Sequence, residues 1–181
     1  ANVLSQKYNV LKNTGSYNNN IGLPLTIFRL KDEHEIAVVE VGMNNLREIA
    51  YLSKIVEPHI GVITNIGLSH IERLGSVENT IKAKSELLEG LDKEGVVFIN
   101  EDDSNLLKIK ENYPRIKFKT FGINHGNIRA NKINTISHNR VAFEVEYNNI
   151  TNDFHLNIPG LHNVYNALAA ISLGLEFNLT T

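Results

Sequence analysis

The sequence predicts an α/β fold, a doubly wound and mostly parallel sheet with a small antiparallel sheet appended to it. Three observations predict it. Ile36–Val41, Ile60–Ile66 and Val96–Ile99 are short, almost continuously apolar runs rich in β-branched residues, the pattern of strands covered on both faces. Stretches with helical periodicity, Leu46–Val56, 77–92 and 103–112, alternate with them. From Asn127 onward the pattern becomes strict alternation broken by Asn-rich turns.

Taken in order, residues 1–8 read as the last turns of a helix with no capping residue ahead of them. Asn13-Thr14-Gly15-Ser16-Tyr17-Asn18-Asn19-Asn20 is a cluster of turn formers followed closely by Pro24, and reads as an exposed loop. Ile36–Val41 and Ile60–Ile66 flank the helical stretch Leu46–Val56, which stops before Pro58, so the three form a β-α-β unit. A helix over 77–92, a strand at Val96–Ile99, a helix over 103–112 and a strand at Ile116–Phe121 continue the alternation. Ile128–Ile133, Val141–Tyr147 and Phe154–Ile158, separated by turns such as His138-Asn139 and Asn148-Asn149, make the antiparallel sheet within 127–158. Pro159-Gly160 precedes a final helix over 162–177, where Val164, Leu168, Ile171 and Leu175 fall on one apolar stripe.

The 181 residues are 42% hydrophobic and 21% charged, an ordinary core-forming composition that suits one sizeable domain over 1–181. Eighteen basic against 20 acidic side chains leave a net charge of −2, so no basic field exists to hold nucleic acid or an anionic membrane. No apolar run approaches the roughly 18 residues that span a bilayer. The first residues lack the basic and apolar regions of a secretory signal, and the expected location is the cytoplasm. With no cysteine, disulfides, thiolate zinc sites and a cysteine nucleophile are excluded, which leaves carboxylate, His, Lys and Asn chemistry.

Several residues do not fit a bland core. At about 100° per residue, Lys84 falls within the stripe made by Val77, Ile81, Leu88 and Leu91, while Lys82 points away. Two readings are open: a lysine that snorkels to the rim or pairs with a carboxylate, or a desolvated amine able to react with substrate or CO2. Glu40 ends an otherwise apolar strand just before Gly42, where an acid can hold Mg²⁺ or pair with a nearby cation. His70 follows the next strand through Gly67-Leu68-Ser69, placed either to ligate metal or to hydrogen-bond within its loop. At the start of the last helix, His162, Asn163 and Asn166 offer paired donors and acceptors suited to a purine edge, or else an N-cap. Asn18 and Asn19 read as turn formers or as ligand contacts.

Five ordered blocks carry a resemblance. They are Tyr17-Asn18-Asn19-Asn20-Ile21-Gly22-Leu23-Pro24-Leu25-Thr26, Val39-Glu40-Val41-Gly42-Met43-Asn44, Ile63-Thr64-Asn65-Ile66-Gly67 with His70-Ile71-Glu72, Lys82-Ala83-Lys84-Ser85-Glu86, and Gly160–Ala170. Together they resemble the central, ATP-binding domain of the Mur ligases, amide-bond-forming enzymes of peptidoglycan synthesis, over almost the whole chain. Asn-Asn-x-Ile-Gly-x-Pro and Glu-x-Gly-Met-Asn point to the branch that joins D-alanyl-D-alanine to UDP-N-acetylmuramoyl-tripeptide. The resemblance implies that Glu40, His70 and a carbamylated Lys84 hold Mg²⁺, that Asn163, Asn166 and His162 lie near the adenine and ribose of ATP, and that Asn18 and Asn19 face the muramoyl peptide. It also implies departures. No G-x-x-x-x-G-K-[ST] loop occurs in the chain, so the expectation is a central domain lacking its N-terminal strand, its phosphate loop and both flanking domains, and inactive alone. Two alternatives stay open: a folylpolyglutamate synthase-type ligase, and a non-catalytic scaffold that kept the fold.

Overall fold

The computed structural model describes residues 1–67 and 71–179. The chain divides into two compact units: Ala1–Gly61, Ile66–Val96 and Tyr113–Lys117 form the first, and Val62–Asn65, Val97–Asn112 and Phe118–Thr181 the second.

The first unit opens on a 3-10 turn, Leu4–Gln6, where a longer helix end was expected. Strand β1 (Val10–Lys12) follows, paired in parallel with β2 (Ile36–Val38) through Val10↔Ile36, Leu11↔Ala37 and Lys12↔Val38. Three residues with one buried side chain, Leu11, carry no periodic signal, so β1 was not foreseen. Helix α1 (Gly22–Ile27) lies between them, its first N–H groups capped by Asn19.

The expected strand to Val41 stops at Val38 for a physical reason. The N–H of Glu40 donates to Asn13 Oδ1 (2.7 Å) and that of Gly42 to the Asn18 carbonyl (2.7 Å), so the 13–18 loop takes the donors that a further sheet neighbour would need. The expected β-α-β unit is corrected accordingly: β2 belongs to a two-stranded sheet with β1, and β3 (Ile60–Ile63) to a separate six-stranded one.

Helix α2 (Glu48–Val56) ends at Glu57, just before Pro58, and buries Ile49, Ala50, Leu52 and Ser53. At its start Arg47 is left-handed (φ 75°), and Glu48 accepts from the Asn44 N–H (2.6 Å) and the Asn45 amide (2.8 Å), which hold its carboxyl below the usual range. Helices α3 (Ile71–Leu74) and α4 (Val77–Ser85) follow, the second capped by Ser76, whose hydroxyl accepts from the Asn79 N–H. A 3-10 turn, Glu86–Glu89, continues α4.

The six-stranded sheet runs β3-β4-β5-β6-β7-β8, with β4 at Val96–Asn100, β5 at Lys117–Gly122, β6 at Ile128–Ser137, β7 at Arg140–Tyr147 and β8 at Ile150–Leu156. Strand β4 is buried along its whole length, as its unbroken apolar run demands. The antiparallel strands are not a separate sheet: β6 pairs in parallel with β5 through Phe121↔Ile128 and Gly122↔Arg129, then antiparallel with β7. Lys132 (φ 48°) sits where the β6–β7 register shifts, and Asn148-Asn149 (φ 49° and 62°) form the two-residue turn into β8. Helix α5 (Ser104–Asn112) buries Leu106 and Ile109. Helix α6 (Leu161–Glu176) buries Val164 and Leu168, whereas Ile171 and Leu175 of the same expected stripe line an apolar cleft of about 270 Å³ with Val145, Tyr147 and Phe154. Among the described residues no helix is long and apolar enough to cross a membrane.

Candidate active site

In the first unit, Glu40 stands two residues beyond β2 and is exposed. Its position is fixed from two sides. Asn13 accepts from the Glu40 N–H and donates to the Tyr17 carbonyl, closing the loop, while Asn18 Nδ2 donates to Glu40 Oε1 at 2.6 Å. Gly42 is required by this contact, because a Cβ there would lie 2.7 Å from Asn18 Cγ and 2.8 Å from its Oδ1. Asn19 faces the other way, with Oδ1 accepting from the Ile21 and Gly22 N–H groups at 3.1 and 2.8 Å. Asn18 and Glu40 are therefore brought together, and Asn19 is occupied with capping α1.

Lys84 lies in the last turn of α4 on the same flank as Val77 and Ile81, as expected, but that flank is half-buried and not the buried face. The buried residues of α4 are Thr80, Ala83 and Ser85; Val77, Ile81 and Lys84 form its half-exposed flank. The stripe was extrapolated at helical pitch to Leu88 and Leu91, but the backbone tightens into a 3-10 turn at Glu86, and the α-helical phase does not persist beyond it. His70 lies outside the described residues.

A single apolar cluster underlies these segments. Met43, from the Glu-x-Gly-Met-Asn block, packs with Ile49, with Leu74 of α3, which is preceded by the His70 block, and with Ala83 beside Lys84. A second tie went unnoticed in sequence. Glu86 is only 4% exposed, and its two carboxylate oxygens accept from the Arg47 N–H (2.7 Å) and the Ala50 N–H (3.1 Å) at the start of α2. The Arg47 guanidinium bridges to Glu89. The one available signal was that Glu86 follows Lys84 by two residues within a matching block.

In the second unit the start of α6 carries the other candidates. Gly160 is the N-cap and provides no side-chain bond, while Asn163 Nδ2 reaches back to the Pro159 carbonyl at 2.6 Å. His162 and Asn166 are exposed. Between the asparagines, Tyr165 donates its hydroxyl to Asp102 Oδ2 at 3.0 Å. Asp102, whose side chain is 8% exposed, also accepts from the N–H groups of Ile123 (2.6 Å), Asn124 (2.9 Å) and His125 (2.9 Å) and contacts His125 Nδ1. Burial opposes its ionisation, but the bonds from Asn124, Ile123, Tyr165 and His125 outweigh it and hold Asp102 below the ordinary value of 3.8. Burial, and then the bond to Asp102 and its negative charge, push the Tyr165 phenol up to about 12.

A family model described as the Mur ligase middle domain matches residues 1–174. The chain belongs to that family. Among curated relatives, the UDP-N-acetylmuramoyl-tripeptide--D-alanyl-D-alanine ligase of Bacillus subtilis is 38% identical over 177 residues, which is 98% of this chain and 37% of that protein. Among solved structures, MurF from Acinetobacter baumannii superposes with a TM-score of 0.92 at 31% identity, over 98% of this chain and 39% of that one. The MurF ligase of Thermotoga maritima in complex with ADP gives 0.88 at 25% identity, over 99% and 42%. The chain thus spans well under half the length of these relatives. The family match takes in all five blocks quoted above. The blocks of Asn18, Glu40 and Lys84 fall in the first unit, and that of Asn163 and Asn166 in the second.

Proposed function

We propose that this chain is the ATP-handling part of a cytoplasmic ligase that adds D-alanyl-D-alanine to UDP-N-acetylmuramoyl-tripeptide. One observation carries the reading: the segments bearing Glu40 and Lys84, and the helix preceded by His70, share one apolar cluster built on Met43, Leu74 and Ala83. A scaffold needs the cluster but not an exposed acid and a half-buried amine mounted on it.

In the proposed reaction the tripeptide carboxylate attacks the γ-phosphorus of ATP, ADP leaves, and the amine of D-alanyl-D-alanine then displaces phosphate from the acyl phosphate. The first step brings two anions together. The donors present suit a hard divalent cation: among the described residues Glu40 Oε2 accepts no hydrogen bond, and carbamylation would turn Lys84 into an oxygen ligand. Mg²⁺ bound there by Glu40, His70 and carbamylated Lys84 would supply charge neutralisation between carboxylate and phosphate. The chain's own part is to hold Glu40 rigidly through Asn13 and Asn18, and to hold the 42–47 loop against the Lys84 segment through Glu86. For Asn163, Asn166 and His162 the proposed role is contact with the nucleoside.

The test is phosphate release with the tripeptide nucleotide and D-alanyl-D-alanine, using the 181-residue chain and a polypeptide extended to the length of its relatives. Turnover is expected only in the longer protein and is expected to fall by at least two orders of magnitude in Glu40→Ala and Lys84→Ala. A longer protein whose rate survives Lys84→Ala refutes the metal-binding role of that amine.

A further inference from the structure

We infer that Asn18 is a positioning residue for Glu40: it holds one carboxylate oxygen so that the other is presented to a divalent cation. The inference rests on the metal-binding role proposed for Glu40, and it gives Asn18 a different task from facing the muramoyl peptide.

The geometry is specific. A glutamate on an exposed loop turns freely about three side-chain bonds, and an ion that binds it must first select one arrangement. Here Asn18 Nδ2 donates to Oε1 at 2.6 Å, which fixes the plane of the carboxylate and leaves Oε2 without a hydrogen bond among the described residues. Asn18 is itself fixed. Its carbonyl accepts from the Gly42 N–H at 2.7 Å, so its backbone is tied to the segment that follows Glu40. Its side-chain amide occupies the space where any residue but glycine at position 42 would place a Cβ, 2.7 to 2.9 Å from Cγ, Oδ1 and Nδ2. Asn13 anchors the Glu40 backbone independently. Loop 13–18 therefore grips residue 40 by its main chain and by its side chain. Groups that orient a metal ligand in this way commonly change metal affinity 10- to 100-fold when removed.

Gly42 makes a discriminating test possible. A methyl group at position 42 meets only the far end of the Asn18 side chain, so Gly42→Ala displaces that amide from Glu40 while leaving Asn18 in the sequence. Mn²⁺ binding to the 181-residue chain is measured by electron paramagnetic resonance, and the Asn18 side-chain amide is followed by ¹⁵N NMR with no metal present. Asn18→Ala and Gly42→Ala are each expected to weaken Mn²⁺ binding about tenfold, and the double variant no further. Glu40→Ala is expected to shift the Asn18 amide resonance and to abolish the site. Full Mn²⁺ affinity in Asn18→Ala, additive losses in the double variant, or an Asn18 resonance indifferent to Glu40→Ala would each overturn the inference while leaving the metal role of Glu40 intact. Mn²⁺ binding that survives Glu40→Ala, or its absence from the unaltered chain, overturns the metal role itself and the inference with it.

Discussion

Replacing Asp102 by Ala removes an acceptor that serves four donors besides the His125 ring. The Ile123 N–H and the Tyr165 hydroxyl are part-buried, and water can replace their partner only incompletely; the Asn124 and His125 N–H groups are exposed and recover most of theirs. At about 1–1.5 kcal/mol for each part-buried donor and about 0.5 kcal/mol for each exposed one, the loss comes to roughly 3–4 kcal/mol. For a chain of this size that corresponds to a fall of about 6–16 °C in melting temperature. Circular dichroism during heating reads it out. The pH dependence gives a second check. Asp102 has a depressed folded-state pKa, so its contribution is present above the ordinary value of 3.8 and is lost as pH falls through the folded value. The gap between the parent and Asp102→Ala should be full at neutral pH and should close in acid below that value. A loss under about 1 kcal/mol at pH 7, or a gap that stays undiminished in acid, would falsify the claim that ionised Asp102 organises the 122–126 loop.

Tyr165 responds in the opposite direction: its phenol is raised to about 12, so its contribution is whole below the ordinary value of 10 and disappears as pH rises towards 12. In Asp102→Asn its titration, followed by NMR, should move down towards 10; an unmoved value would mean that burial alone causes the shift. Gly90→Ala should destabilise by about 1–3 kcal/mol, because its Cβ would lie 2.3 and 2.4 Å from the Ser53 carbonyl carbon and oxygen, which no rotamer change relieves. A melting temperature equal to the parent's would refute the close approach of Gly90 to the Ser53 backbone. Glu86→Ala strips acceptors from the Arg47 and Ala50 N–H groups and should cost about 2–4 kcal/mol, with Glu86→Gln recovering about half. Equal losses in the two variants would argue for charge rather than acceptor geometry. Asn149→Gly, at φ 62° in a two-residue turn, should leave stability unchanged or raise it by up to about 1 kcal/mol in urea unfolding, and a loss would contradict the turn assignment.

What sequence could show depended on whether a signal was local. Strand β4 and helices α2, α5 and α6 follow directly from apolar periodicity, and the Asn148-Asn149 turn from residues that tolerate positive φ. Strand β1 escaped because three residues cannot display a period, and β2 was overextended because the partners of the Glu40 and Gly42 N–H groups lie more than twenty residues away. Among the site residues, the types and blocks of Glu40, Lys84 and Asn163 were legible, and their settings were not. Lys84 proved half-buried because α4 turns Thr80 and Ala83 inward and leaves the flank of Val77, Ile81 and Lys84 half-exposed. Asn18, Glu86 and Asp102 owe their roles to partners distant in sequence, which no pattern of neighbouring letters reveals.

The order in which the two units draw on the chain bears on how a ribosome can deliver it. The first unit recruits Tyr113–Lys117 only after Val97–Asn112 has been committed to the second. A nascent polypeptide therefore completes the contacts of its first unit only after Lys117 has left the exit tunnel. Cutting the gene between residues 96 and 97 would part Val62–Asn65 from the rest of the second unit and Tyr113–Lys117 from the rest of the first, so the two co-expressed halves should be more stable together than either is alone.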